Sequence, residues 1–362
     1  MSVKVDNIEH IADQFKIAGT VSTIVPFGGG HINDTFRIIN SDTTAPDYLL
    51  QRINHSVFPD VPALMKNIDL VTAHLKQKPD YETLDLIHTH QDKLFYQDQK
   101  GNYWRIFDFK TDTTTFDLVT SEVQAFQGGL AFGKFLMQLD DFDPRQLSTT
   151  IPDFHNVMVR LQQLNKAQSL GNQERRMEVQ ALLKQVMNMA DTMCQLERMK
   201  QSGTLKMRVT HNDTKFNNVL LHENQRFVCV IDLDTVMPGI VHYDFGDGIR
   251  TATNSAAEDE KDLHNVHFNI GRYNAFAKGY LEGAQGILEP TEIEYLPLSG
   301  AAISYVIGVR FLTDYLLDDV YFKTSYPDQN LRRAMSQIEL SRQILARQKD
   351  LELVFQQASV KC

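Results

Sequence analysis

Apolar and polar positions follow two different periods along this chain, and the change of period divides it into two parts. In the first hundred residues, alternating patterns predict strands at residues 21–25, 35–39, 48–53, 94–96 and 103–107. A glycine-rich turn at residues 28–31 separates the first two strands. One helical period is present at residues 61–75, carried by Leu64, Met65, Ile68, Val71 and Leu75. This part is therefore predicted to be a mainly antiparallel sheet with one helix.

Helical periods dominate after residue 110. A polar connector at residues 111–115 precedes helical patterns at residues 121–138, 152–163, 174–200, 258–280, 291–321 and 330–357. A hairpin at residues 219–233, with its turn at residues 222–225, interrupts them. The chain is thus expected to form a small N-terminal lobe, residues 1–110, and a large helical lobe, residues 111–362.

Composition excludes some classes of protein. The chain has 362 residues, enough for two lobes, and its net charge of -10 disfavours nucleic acid as the main partner. Its odd set of widely spaced cysteines, Cys194, Cys229 and Cys362, fits reduced thiols in a cytosol. The first residues lack the apolar segment of a signal peptide, and no run of about 18 apolar residues predicts a membrane span. We expect a cytoplasmic protein.

The most informative motif is H-x-D-x-K-x-x-N at residues 211–218, followed by an apolar strand that ends at Ile231-Asp232. By itself the motif could be an ordinary polar loop. With an acidic residue just past the strand, it contains the parts that phosphoryl transfer needs. We assign Asp213 to orienting the acceptor hydroxyl and accepting its proton, and Asn218 and Asp232 to binding Mg²⁺. Lys215 would neutralise charge on the transferred group. The two-part layout then predicts an α+β, bilobal protein-kinase-like fold.

Three further aspartates follow the motif. Residues 244–246 spell D-F-G, but they lie in a loop with glycine and proline nearby, so Asp244 is expected to brace the catalytic loop rather than bind metal. Asp247 is interpreted as a helix N-cap. Asp234 could supply a second metal oxygen or be a solvated turn carboxylate.

The first part of the chain offers candidates for nucleotide binding. Glycines let the backbone approach phosphates closely, which nominates Gly28, Gly29, Gly30 and the nearby Asn33. Arg52 ends the third strand, where a kinase places a cation on the α- and β-phosphates. The helix at residues 61–75 would supply its acidic partner, and only Asp60 and Asp69 are available there.

A mixture of charged and aromatic residues near the end of the chain suits a sugar site. Arg310 and Asp314 are four apart in a helical segment and could simply be an ion pair. Tyr321 and Phe322 follow in an apolar neighbourhood, where aromatic faces can pack on the C–H surfaces of a sugar.

Together these motifs resemble the aminoglycoside phosphotransferase/choline kinase superfamily, and within it the N-acetylhexosamine 1-kinases. The resemblance covers roughly residues 24 to 322 and includes the segments at residues 29–33, 48–54, 154–155, 211–218, 231–239, 243–247 and 310–316. It implies ATP- and Mg²⁺-dependent phosphorylation of the anomeric hydroxyl of a sugar. Asp213 takes the place of the catalytic aspartate, and Asn218 and Asp232 those of the metal ligands.

The resemblance also implies where the acceptor binds. Sugar contacts would fall on Arg310, Tyr321 and Phe322, with His31 nearby. Phe322 stands where such a kinase has tryptophan, and the smaller ring lacks an N–H donor. The preferred sugar is therefore not defined by the resemblance.

We expect an ATP:hexosamine 1-kinase that acts on GlcNAc or GalNAc. It would be a monomer that binds a small-molecule sugar, but neither nucleic acid nor membrane. One alternative keeps the chemistry but uses another sugar, a choline-like amino alcohol or an aminoglycoside. A nucleotide-binding pseudokinase scaffold is the alternative of another class, and the intact Asp213, Asn218 and Asp232 argue against it.

Overall fold

A computed structural model of the chain describes residues 7–28, 32–224 and 226–359, without the side chains of residues 356–359. A six-stranded antiparallel sheet forms the first part, in the order β1-β2-β3-β6-β4 with β5 also paired to β6. The elements are α1 (Ile8–Ala12), β1 (Val21–Pro26), β2 (Asp34–Asn40), β3 (Tyr48–Ile53), α2 (Val61–Leu75), β4 (Leu86–Ile87), β5 (Tyr96–Gln97) and β6 (Tyr103–Asp108). The predicted sheet and helix are confirmed, and α2 has the predicted bounds.

The two faces of this sheet pack against different parts of the chain. Alternate residues of a strand point to opposite faces, and Trp104 and Ile106 of β6 pack with α1 in one core cluster. Phe107 belongs to the larger cluster that contains α2 and most of the helical part. Arg105, which lies between Trp104 and Ile106, therefore faces the helical part of the protein.

The second part is mostly helical. Its elements are β7 (Thr113–Thr114), α3 (Glu122–Gln138), α4 (Val157–Leu170), α5 (Gln173–Glu178), α6 (Gln180–Met193), α7 (Gln195–Gln201), β8 (Arg208–Thr210), β9 (Val219–His222), β10 (Phe227–Val230), β11 (Met237–Gly239), α8 (Val241–Thr253), α9 (Ile270–Ala284), α10 (Pro290–Leu316), α11 (Gln329–Ala346) and α12 (Gln348–Ser359). Strands β10, β9 and β7 form one small sheet, and β11 pairs with β8. The predicted connector therefore contains a strand, β7, which joins the hairpin. The boundary at residue 110 stays a prediction.

Most of the predicted helices have different bounds in the structure, and the patterns at residues 152–163 and 291–321 correspond to α4 and α10. The pattern at residues 174–200 is split into α5, α6 and α7, because Val179 leaves the helical region (φ -96°, ψ 13°) and a further break follows at Cys194. The last pattern is split into α11 and α12 at Arg347. The pattern at residues 258–280 becomes helical only at α9, where the Asn269 side chain accepts the Arg272 N–H at 2.9 Å and caps the first turn.

Helix α10 is the central helix of this part. By length and composition it could span a membrane, with a mean hydropathy of 1.4 over its most apolar window, but 83% of that window is buried within the protein. It packs against α11 and against α8, which carries residues of the site described next. Its apolar character is therefore explained by its place in the core.

Candidate active site

The hairpin β9–β10 brings the two predicted metal ligands together. Val219 pairs with Val230 at the open end of the hairpin, so the residues just outside it, Asn218 and Ile231, lie opposite each other. The Ile231 N–H donates to the Asn218 carbonyl at 2.9 Å. Asp232 follows immediately, in the left-handed conformation (φ 59°). Local pairing therefore places Asn218 and Asp232 side by side.

Asp213 lies between two of the other predicted residues. Its carboxylate is 2.9 Å from the Lys215 ammonium. The Asn218 amide donates to the Asp213 carbonyl at 2.8 Å and to its carboxylate at 3.2 Å, which leaves the amide oxygen of Asn218 for another partner. Burial opposes ionisation of Asp213, but the Lys215 charge lowers its pKa below the usual range. An ionised carboxylate is the form that can accept a hydrogen bond from a hydroxyl.

The catalytic loop is held from behind by α8. The Asp244 carboxylate accepts the backbone N–H groups of His211 at 2.8 Å and Asn212 at 2.7 Å, so the predicted bracing role of Asp244 is confirmed. The prediction that Asp247 caps a helix is wrong, because α8 already begins at Val241. Asp247 instead is buried within the helix and pairs with Arg250 at 2.8 Å.

The surroundings of Asp232 suit a cation. Although its side chain is accessible to solvent, desolvation by the surrounding protein and repulsion from Asp234 and Asp213 raise its pKa to about 7. A bound divalent ion would relieve this repulsion. No group of three or more His, Cys, Asp or Glu side chains that could hold a metal is present in the described part of the chain. The binding of Mg²⁺ by Asn218 and Asp232, with phosphates and water as further ligands, therefore stays a prediction.

Asp234 joins the sheet to the loop that carries Asp232. It is 3% exposed, so it is not a solvated turn residue as one of the two alternatives held. One carboxylate oxygen pairs with the buried Arg105 of β6, and the other accepts the Asn33 amide at 2.7 Å. The two carboxylate oxygens are therefore occupied by Arg105 of the sheet and by Asn33, the residue just before β2. Asn33 also accepts the Asn54 N–H at 3.0 Å, and a role for it in nucleotide binding stays a prediction.

Arg52 has an acidic partner that was not predicted. The neighbouring strand places Asp34 directly opposite Arg52, and the two side chains form an ion pair. Neither candidate of α2 contacts Arg52: Asp60 caps that helix, accepting the Ala63 N–H at 3.0 Å, and Asp69 lies 3.7 Å from His88. Contact between Arg52 and phosphates stays a prediction.

The predicted sugar residues are gathered around Arg310. Its guanidinium carbon lies 5.1 Å from the ring centre of Phe154, 5.9 Å from that of Tyr321 and 5.5 Å from that of Phe322. Burial lowers the pKa of Arg310, and the nearby Tyr321 side chain opposes this shift. The alternative of an ion pair with Asp314 is wrong, because the Asp314 carboxylate instead accepts the backbone N–H groups of Tyr321 and Phe322.

Part of the predicted nucleotide site lies outside the described residues. This applies to Gly29 and Gly30, and also to His31, which was predicted to lie near the sugar. Gly28 is described and has φ of 73°, a conformation that glycine adopts at little cost. The roles assigned to these four residues stay predictions.

The sequence did not lead us to propose Arg105 or Asp34 as residues of the site, and it did not indicate that Phe154 contacts Arg310. The only signal for Arg105 is a charged residue between the apolar Trp104 and Ile106 of a strand. Asp34 could have been found by aligning β2 against β3. Phe154 reaches Arg310 from a loop more than 150 residues away, and no local pattern indicates such a contact.

Two buried histidines near α8 should make the protein sensitive to acid. Burial lowers the pKa of His155 and of His242 to about 4, against about 6.5 in the unfolded chain. The unfolded state therefore binds protons that the folded state does not, and stability is lost as the pH falls below 6.5. Between about pH 7.5 and about pH 5, each histidine should lower the free energy of unfolding by about 2 kcal/mol.

The variant His242→Gln isolates one of these contributions. Glutamine can keep the donor to the Glu292 carbonyl, 3.0 Å away, but does not titrate. Urea unfolding at the two pH values should show the stability advantage of wild type over the variant shrinking by about 2 kcal/mol on acidification. An advantage that is the same at both values would contradict the assignment.

Comparison with known proteins gives one family and many related folds. A family model described as "Phosphotransferase enzyme family" (APH) matches residues 23–280. The structure is similar to spectinomycin phosphotransferase APH(9)-Ia in complex with ADP and spectinomycin, with a TM-score of 0.61, 14% identity, and coverage of 95% of this chain and 99% of that chain.

Two further solved structures extend the comparison. Amicoumacin kinase hAmiN, in complex with AMP-PNP, Ca²⁺ and Ami, has a TM-score of 0.58 and 13% identity, covering 93% of this chain and 94% of that chain. A microcompartment-associated aminopropanol kinase has a TM-score of 0.56 and 12% identity, covering 94% and 97%. At these identities the similarity establishes the fold, and it confirms the predicted kinase-like architecture.

Proposed function

Because the chain belongs to the phosphotransferase enzyme family, we propose that it is an ATP- and Mg²⁺-dependent kinase that phosphorylates the anomeric hydroxyl of an N-acetylhexosamine, GlcNAc or GalNAc. Membership of a family of enzymes that phosphorylate hydroxyl groups favours an enzyme over a scaffold. The nucleotide and the metal are supported by the related kinases, which were crystallised with ADP or with AMP-PNP and Ca²⁺.

The catalytic loop supports these roles in detail. Asn218 and Asp232 would hold Mg²⁺, which when bound neutralises charge on the nucleotide phosphates. Asp213 is ionised and can accept a hydrogen bond from the attacking hydroxyl, and later its proton. Lys215, whose pKa is raised by Asp213, stays protonated and can stabilise charge on the transferred phosphoryl group.

The observation that carries the choice of acceptor is the position of the Arg310 guanidinium. No carboxylate lies within ion-pair distance of it in the described chain, yet it is enclosed by Phe154, Tyr321 and Phe322. Aromatic enclosures of this kind bind quaternary ammonium ligands in other proteins. Here the protein's own cation occupies the enclosure. A neutral, hydroxyl-rich acceptor fits better beside an unpaired guanidinium than a second cation does.

This charge distribution weighs against two of the alternatives. An aminoglycoside or a choline-like amino alcohol brings a positive charge, and like charges close together in a partly desolvated site repel strongly. A different neutral sugar is not excluded by the same argument. Arg310 can donate to hydroxyl or carbonyl oxygens, including the carbonyl of an N-acetyl group.

The proposal is tested by ADP release from Mg-ATP with a panel of acceptors. The panel contains GlcNAc, GalNAc, glucose, galactose, mannose, choline, homoserine and kanamycin. We expect turnover with an N-acetylhexosamine and a product that has lost its reducing end. Turnover with only the cationic acceptors would overturn the argument that a neutral acceptor binds beside Arg310. Turnover with another neutral sugar would change the proposed substrate but agree with that argument.

Removing the guanidinium should affect the acceptor and spare the nucleotide. With Arg310→Leu, we expect the KM for the acceptor to rise about 10- to 100-fold, since hydrogen bonds from a charged donor are lost. The KM for ATP should stay within about twofold. Arg145→Leu is the control, because Arg145 is 88% exposed and pairs only with Asp143 at the surface. Equal effects on both substrates would contradict a role for Arg310 in acceptor binding.

We further propose a cytoplasmic location and a monomeric state. Cys194 and Cys229 are both free thiols, as expected of a reducing compartment.

A further inference from the structure

The chain leaves α10 through a segment with unusual backbone conformations. In residues 317–322, which we call the acceptor segment, Asp318 and Asp319 both have positive φ, 64° and 60°. Two successive left-handed residues other than glycine are uncommon, and such strain persists only where the surrounding contacts enforce it. The segment ends with Tyr321, which is 61% exposed, and Phe322.

Asp314 supplies the enforcing contacts. Its carboxylate is buried and accepts the N–H of Tyr321 at 2.8 Å and the N–H of Phe322 at 2.9 Å. The Asn330 amide donates to the same carboxylate at 2.9 Å and to Asp319 at 2.9 Å. Asp314 thus holds the backbone of Tyr321 and Phe322, whose rings enclose Arg310. Arg310 itself lies one helical turn before Asp314 in α10.

The catalytic loop is held by the same kind of contact, a carboxylate that accepts two consecutive backbone N–H groups. Asp244 accepts two consecutive backbone N–H groups just before Asp213, as Asp314 does at Tyr321 and Phe322. Each carboxylate projects from a buried helix, α8 or α10, onto a loop that carries site residues. The contacts of Asp244 position the loop that carries Asp213, and the contacts of Asp314 position the aromatic rings around Arg310.

The far side of the acceptor segment is also tied down. Arg175 of α5 donates to Asp319 at 2.6 Å and to the Tyr315 carbonyl at 2.7 Å, and its guanidinium lies 4.3 Å from the Tyr315 ring centre. Asp318 accepts the Asn172 amide at 3.0 Å. The strained residues are therefore held from both sides.

We propose that Asp314 is a positioning residue for acceptor recognition, which fixes the acceptor segment so that Tyr321 and Phe322 form a rigid wall against a neutral polyol acceptor. This inference rests on the proposed function, because it assigns that wall to the acceptor site. Asp314 itself does not touch the acceptor. Its effect is exerted through Tyr321 and Phe322.

The variant Asp314→Asn is the sharpest test. Asparagine has nearly the same shape, but its amide group is a donor and would face an N–H that also needs an acceptor. We expect the KM for the acceptor to rise about 10- to 100-fold, with the KM for ATP within about twofold. Hydrogen exchange at the Tyr321 and Phe322 amides should quicken by a similar factor.

Two further variants complete the design. Asp98→Asn is the matched control, because Asp98 also accepts two backbone N–H groups of a turn, at Lys100 and Asn102, but in the sheet. It should leave the KM for the acceptor unchanged. Tyr321→Ala removes an exposed side chain and should fold normally. If Asp314 acts through the acceptor segment, the double variant Asp314→Asn with Tyr321→Ala should have a KM for the acceptor close to that of the more severe single variant.

The outcomes separate this inference from the proposed function. Faster exchange with an unchanged KM for the acceptor would show that Asp314 holds the segment and that the segment does not recognise the acceptor, which overturns the inference. If N-acetylhexosamines are not substrates but another acceptor is, the same comparison is made with that acceptor. If Asp314→Asn does not fold, an unchanged KM for Tyr321→Ala alone would overturn the inference.

Discussion

Replacing Asp213 by asparagine should reduce kcat by at least about 10³-fold while nucleotide binding is retained. The carboxylate is the only group placed to accept both a hydrogen bond and a proton from the acceptor hydroxyl in our assignment, and such groups contribute roughly 10² to 10⁴. The predicted metal ligands Asn218 and Asp232 are kept, and the hydrogen bond from the Asn218 amide to the Asp213 carbonyl does not depend on the carboxylate. Asparagine preserves the shape of the side chain. The hydrogen bonds from the loop backbone to Asp244 do not involve the Asp213 carboxylate.

Steady-state kinetics and nucleotide-dependent thermal stabilisation measure the two parts of this prediction. Mg-ATP should raise the melting temperature of Asp213→Asn as it does that of wild type. Asp191→Asn serves as the control, because Asp191 is 93% exposed and pairs with Arg198 at the surface. Retained turnover of Asp213→Asn in a preparation free of wild-type enzyme would reject the catalytic assignment.

Loss of Arg105 should be among the most destabilising changes of a single charged residue. Arg105 is 1% exposed and pairs with Asp234, so Arg105→Met leaves a buried carboxylate with only the Asn33 amide as a partner. Breaking a buried ion pair from one side costs about 3–5 kcal/mol. The KM for ATP should also rise, because the loop that carries Asp232 loses its link to the sheet.

A double-mutant cycle tests whether this cost comes from the unpaired charge. Urea unfolding should show Arg105→Met with Asp234→Leu to be less destabilised than the sum of the single variants. Arg37→Met, on β2 of the same sheet, is the matched control, because the Arg37–Asp47 pair is partly exposed, and it should cost about 1 kcal/mol or less. Strict additivity in the cycle would mean that the two residues act independently.

The parts of the site that depend on local pairing could be predicted from the sequence. The spacing from Asp213 to Asn218 and the following hairpin are enough to bring Asn218 beside Asp232, because hairpin register is set by a few adjacent residues. The bracing role of Asp244 also followed from its position behind the loop. These contacts need only short stretches of chain and ordinary strand geometry.

The parts that depend on distant packing could not be predicted. Arg105 and Asp234 are 129 residues apart in the chain, and their pairing requires the sheet and the helical part to be assembled. Arg52 was assigned to a partner on α2 by analogy, although simple strand register places Asp34 opposite it. Asp314 was considered as a partner of Arg310 because helical spacing allows that pair, while its true partners are backbone N–H groups beyond the end of the helix.

The contact of Asp234 with Arg105 and Asn33 also restricts how the protein can open. It joins the sheet to the residue two positions beyond Asp232, so the separation between the sheet and this predicted metal ligand cannot change much while the contact lasts. A movement of the sheet relative to the helices that kept this contact would be centred close to Asp234. Such a movement would leave the distance between the sheet and Asp232 nearly unchanged.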